Sequence, residues 1–147
     1  MEWFNIFGFI YISLIMTPNI IFAIKNRDGF RNNFNSKLAE IAEQAGRIGC
    51  IITMIINIPG TWLGWRSDEA FALYLIIDTA LVILYLAVWI FCFKKDGIFR
   101  ALALSVIPSV IFLFSGIMSR SLLLTSSSLL FAPSHIFISY KNAAGKD

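Results

Sequence analysis

Asp78 stands inside AFALYLIIDTALVILYLAVWIFCF (residues 70–93), a run with the length and apolarity of a membrane span. At about 100° per residue, Phe71, Tyr74, Asp78, Tyr85, Trp89 and Cys92 fall within an arc of about 60°, and Leu, Ile and Val fill the opposite side. An aspartate at the centre of a lipid-facing helix costs about 2.5–3.5 kcal/mol on insertion scales. The fourteen Leu, Ile, Val and Phe residues of the segment return roughly 4–8 kcal/mol, so the span still inserts. The stripe bearing Asp78 is therefore expected to face other helices, where the carboxyl needs a partner or a proton. Two uses fit: handling an ion or proton, or hydrogen bonding that only fixes helix register.

Other polar groups sit at helical spacing elsewhere. In LAEIAEQAGRIGCIITMIINIPGTWLGW, Glu40, Glu43 and Arg47 share a face with Cys50, Met54 and Asn57, and Glu43 precedes Arg47 by one turn, the favourable order for an ion pair. These charges either sit solvated in the headgroup zone or form an ion-paired patch inside the mouth of a bundle. Thr125, Ser128, Ala132, His135 and Ser139 form a stripe near the carboxyl end. His135 is the sole histidine, with no companions for a metal site and no nucleophile at motif spacing. It reads as a packing histidine or a proton relay. Cys50 and Cys92 are far apart, without CxxC or a nearby histidine, and give no disulfide or zinc argument. Patterns for nucleotide, zinc-protease or hydrolase sites are missing too. No enzyme, metal or cofactor is expected.

The elements that must position these groups follow from composition. A mean hydropathy of +0.76 with 58% hydrophobic and 14% charged residues is far from that of a soluble globular chain. The apolar residues gather into runs of about 20, which predicts an all-α polytopic membrane protein of one domain, 1–147, with spans near 3–24, 38–60, 70–93, 98–119 and 121–140. MEWFNIF lacks the basic start of a secretory signal, so the first segment is expected to be retained. Pro18 should bend that helix, with Asn19 placed to satisfy a freed carbonyl. Ser36 is a cap candidate for the second helix, and Pro59-Gly60 should break or kink its far end. Trp62 and Trp65 look like interfacial anchors.

Small residues mark packing faces. Ala39, Ala42, Gly46 and Gly49 form one strip, and Ser105, Pro108, Ser109, Phe112, Gly116 and Ser119 another; both suit close helix approach in lipid.

Basic residues sit in the loops between apolar runs, which argues against a nucleic-acid partner and for a topological role. Lys25, Arg27, Arg31, Lys37, Lys94, Lys95, Arg100, Lys141 and Lys146 fall on one side of a five-span bundle, against Arg66 and Arg120 on the other. This predicts an outside amino terminus and a cytoplasmic carboxyl terminus in the cell membrane. By depth, Asp78, Asn57 and Ser128 each lie about 12 Å below the outer helix ends and could form one polar layer. Glu43, Arg47, Asn19 and His135 could form a second, inner one.

Ser13–Phe22 matches Ser128–Phe137 at Ser, Leu, Pro, Ile and Phe, a faint parallel repeat. The run TPNIIFAIKNRD resembles the first helix of PQ-loop and SWEET-type transporters in its proline near the cytoplasmic end and its outside amino terminus. The chain departs from them at Asn19, where they have glutamine, at Pro133-Ser134 in the second copy, and in having five spans rather than two triple-helix bundles. No assignment is made on that likeness.

Two functions fit. The first is movement of a small solute, ion or proton past Asp78, in a homo-oligomer because five helices enclose little volume. The second is an accessory, regulatory or protective subunit that binds another membrane protein through its Ala/Gly and Ser faces.

Overall fold

The computed structural model describes residues 3–26, 34, 36–95 and 97–145. They form five helices: α1 (Ile6–Lys25), α2 (Lys37–Ile55), α3 (Asp68–Cys92), α4 (Ile98–Met118) and α5 (Leu122–Ala144). Among the described residues there is no strand, only two isolated β-bridges. Arg27, Arg31 and Lys146, used above for orientation, lie outside the described residues.

Short polar side chains start most of these helices. Asn5, Ser36, Ser67 and Ser121 each accept a hydrogen bond from the backbone N–H three residues on, satisfying a donor that the helix cannot. Between α4 and α5 the chain reverses in a tight turn. Ser121 N–H bonds to Gly116 C=O at 2.9 Å and Arg120 N–H to Ile117 C=O at 3.2 Å, with Arg120 in the left-handed region at φ 52°.

α1, α3, α4 and α5 are long and apolar enough to cross a membrane, which makes this a multi-pass membrane protein. α2 falls short of that measure because Lys37, Glu40, Glu43 and Arg47 occupy its first three turns. It also ends at Ile55 rather than near residue 60. There the chain turns extended: Asn5 N–H bonds to Ile55 C=O and Asn57 N–H to Trp3 C=O, both at 2.8 Å, and Pro59 then bars a return to helix.

Neighbours around the bundle run α1, α2, α5, α4, α3 and back to α1, a closed ring in which α1 is the most lightly packed. Cross-contacts fix the directions. Tyr11 meets Thr79 and Asn19 meets Tyr85, so α1 and α3 are parallel. Glu43 meets His135 while Gly46 abuts Phe131, so α2 opposes α5; Asp78 meets Ser115 while Phe93 meets Arg100, so α3 opposes α4. The ends of α1, α3 and α5 that carry Lys25, Lys94 and Lys141 thus gather with the starts of α2 and α4.

Glycine lets two of these contacts close. A Cβ at Gly46 would lie 2.7 Å from the Phe131 backbone nitrogen on α5, and one at Gly116 would lie 2.7 Å from Thr125 Oγ1. Gly49 sits equally hard against Ser127, with Ala42 half-buried beside it. Ser105 and Ser109 are buried on α4, where Ser109 donates to the Ser105 carbonyl at 2.7 Å. Their partner is their own helix.

Candidate functional site

All five helices line one cavity of about 950 Å³ in the end of the ring that gathers the basic residues. It reaches from Glu40 to Ile51 along α2, about 16 Å at a 1.5 Å rise, or about half a hydrocarbon core. Its walls are mostly Ile12, Ile15, Leu104, Phe112, Trp89 and Phe131, and its charged groups Glu40, Glu43, Arg47 and Arg100 lie toward the basic end.

The polar cluster centres on Glu43, which is 7% exposed. Helical spacing brings Arg47 one turn along the same face, and its Nη2 donates to Glu43 Oε1. From α5, His135 Nδ1 lies 2.7 Å from the same oxygen, and a carboxylate accepts, so Nδ1 is the donor. The His135 ring is held by stacking on Phe131, centroids 4.6 Å apart and planes 18° apart. Asn19 Nδ2 donates to Tyr85 Oη at 2.8 Å and to the Ile15 carbonyl at 2.7 Å, in the turn that Pro18 loosens. Ser134, the residue after Pro133, likewise donates to the carbonyl four back, at Leu130. Across the mouth Arg100 lies over the Phe22 ring, 4.9 Å from its centroid, and donates to the Phe93 carbonyl. The inner group expected from sequence (Glu43, Arg47, Asn19 and His135) is thus brought to one cavity, with Tyr85 and Arg100 added.

Toward the other end the ring is closed. Tyr74, Met54, Ile111, Leu124 and Ser128 are all at most 2% exposed there. Asp78 is fully buried among them, about 10 Å beyond Tyr85 along α3, with buried Val82 between. Ser115 Oγ of α4 donates to Asp78 Oδ2, while among the described residues no donor reaches Oδ1. A buried carboxyl oxygen without a donor is costly, so the group calls for a proton or a cation. Nearby, Tyr11 Oη bonds Thr79 at 2.9 Å, and Asn5 Nδ2 donates to Tyr74 Oη at 3.3 Å.

The outer polar layer is built differently from the expected trio. Asn57 lies past the end of α2 in the loop that follows, because the helix stops at Ile55, and it lines a shallow crevice with Trp3 and Trp62. Ser128 is fully buried, but its hydroxyl donates to Thr125 of its own helix at 2.8 Å. Ser115 is the residue that sequence reading missed. Its signal was present: it continues the Ser105, Pro108, Phe112, Ser119 spacing of three and four.

Trp62 and Trp65, expected as interfacial anchors, are both half-buried at the end of the ring away from the basic residues. Trp65 packs on Tyr74 at 4.7 Å and on Phe71 at 5.0 Å between centroids. The Trp62 indole N–H is buried, with no acceptor among the described residues. Compared with protein-family models, curated proteins and solved structures, the chain matches none.

Proposed function

We propose that the chain is a five-span carrier or channel of the cell membrane, moving a small solute, ion or proton between the inner cavity and the outer side past Asp78. The reading is non-enzymatic. The observation that carries it is a ring of helices whose cavity lies in the basic end and is closed off at the other by a shell holding a buried, half-partnered carboxyl. In this reading the cavity is the inward-open vestibule, the Asp78 shell is the outer gate, and the amino terminus is outside.

α2 is the fifth span. Its charges Glu43 and Arg47 turn into the cavity, while Leu38, Ile41, Ile48 and Ile52 are exposed outward, as a lipid-facing side requires. Low overall hydropathy is what a helix with one wall on a polar cavity would have. One chain encloses a cavity of useful size, so the reading needs no second copy. The accessory reading is less well supported. It relied on the Ala/Gly and Ser faces, yet Gly46, Gly49, Gly116, Ser105 and Ser109 are spent inside the bundle.

The test is flux in proteoliposomes, using an entrapped pH dye under imposed proton and sodium gradients, and then with added amino acids. Wild type should move charge or solute, and Asp78→Asn should fold to a similar melting temperature and lose at least tenfold of the flux. Undiminished flux in Asp78→Asn, or none in wild type, overturns the reading.

A further inference from the structure

We infer that the inner cavity is a binding site for a zwitterion carrying an apolar body, in which an ammonium and an anionic oxygen group lie a few atoms apart. The inference names the substrate class of the transport reading above and rests on it for purpose, though not for its test.

The argument starts from unused hydrogen-bonding capacity. Arg47 Nη2 and His135 Nδ1 both fall on Glu43 Oε1, which leaves Oε2 open to a third donor. Arg47 commits Nη2 alone, which leaves the rest of its guanidinium fork for an anion. Because the two residues are one turn apart on one face of α2, an uncommitted carboxylate oxygen and an uncommitted guanidinium edge stand side by side at the cavity wall. Glu43 is held in place from another helix by His135, so this edge is preorganised.

Charge balance narrows the class. Among the described residues of the lining, Glu40 and Glu43 face Arg47 and Arg100, two of each sign. A cation alone gains Glu43 but meets Arg47, and an anion alone meets the reverse. A zwitterion satisfies both without adding net charge to a low-dielectric site. Deeper in, Ile12, Ile51 and Phe112 offer apolar surface about one helical turn beyond the charged pair, room for an aliphatic or aromatic body. Free amino acids and the head of phosphatidylethanolamine share this chemistry.

Binding to the purified full chain in a non-ionic detergent decides it, read as thermal shift and by calorimetry. The probes are leucine and phenylalanine, isoamylamine (leucine without its carboxylate), 4-methylpentanoate (leucine without its ammonium), and short-chain phosphatidylethanolamine. Leucine or phenylalanine should raise the melting temperature in a saturable way, with each singly charged analogue at least tenfold weaker. Glu43→Gln and Arg47→Gln should each weaken zwitterion binding at least tenfold. A response to phosphatidylethanolamine alone keeps the class and assigns the source to the bilayer. An analogue that binds as well as leucine, or no response to any zwitterion, overturns the inference. If a variant fails to fold, the analogue series on wild type still decides. Binding without flux would fail the transport reading alone, and flux without zwitterion binding would fail this one alone.

Discussion

Ser115 and Asp78 are joined across α3 and α4 in the most deeply closed part of the molecule. Removing the hydroxyl with Ser115→Ala would leave both carboxyl oxygens without a donor, at a cost of about 1–3 kcal/mol. The expected result is a clearly lower melting temperature in detergent, with Ser115→Thr losing much less because it keeps a hydroxyl. Equal melting of Ser115→Ala and wild type would mean that the bond carries little. Asp78→Asn should melt near wild type, since its amide oxygen can still accept from Ser115. Asp78 was legible in the sequence because a carboxylate among apolar residues has few explanations. Ser115 was legible only as one more hydroxyl on the α4 stripe, and its pairing with Asp78 was not, since a serine in a helix satisfies itself on the preceding turn and many positions would do.

At the scale of the helix, glycine position separates contact from mere freedom. Gly46→Ala drives a methyl group to within 2.8 Å of the Phe131 Cα, and backbone cannot step aside as a side chain does. α2 and α5 must then part, at about 1–3 kcal/mol. Gly97→Ala meets nothing within 4 Å, and its φ of 167° is extended backbone. Thermal unfolding of the two variants side by side should show a large drop for Gly46→Ala and almost none for Gly97→Ala. Similar melting of the two would remove the claim that α2–α5 approach limits stability. The small-residue strip on α2 was readable from spacing alone. Its partner was not, because a strip of that kind is the same for any helix that comes close.

For the molecule as a whole, the crossing of α2 decides between five spans and four. Leu38, 82% exposed at the start of α2, and Arg66, exposed in the loop before α3, bracket that helix. In intact cells a membrane-impermeant maleimide should label Arg66→Cys and leave Leu38→Cys untouched until lysis. Native Cys92, at the same end of the ring as Leu38, serves as the internal control, and Cys50 is fully buried. Labelling of both engineered sites from one side would show that α2 does not cross.

Apolar run lengths, with turn and cap residues between them, determined five helices and their approximate limits, because lipid and backbone hydrogen bonding leave a chain of this composition few other forms. The buried stripe Tyr74, Asp78, Tyr85, Trp89 was likewise set by helical periodicity. The tertiary structure decided the order of helices around the ring, the cavity within it and the pairing of Asp78 with Ser115. It also ended α2 early, through a backbone pairing with the segment before α1. Those outcomes depend on which faces meet across long sequence separations, and faces of similar apolarity do not choose their partners by composition.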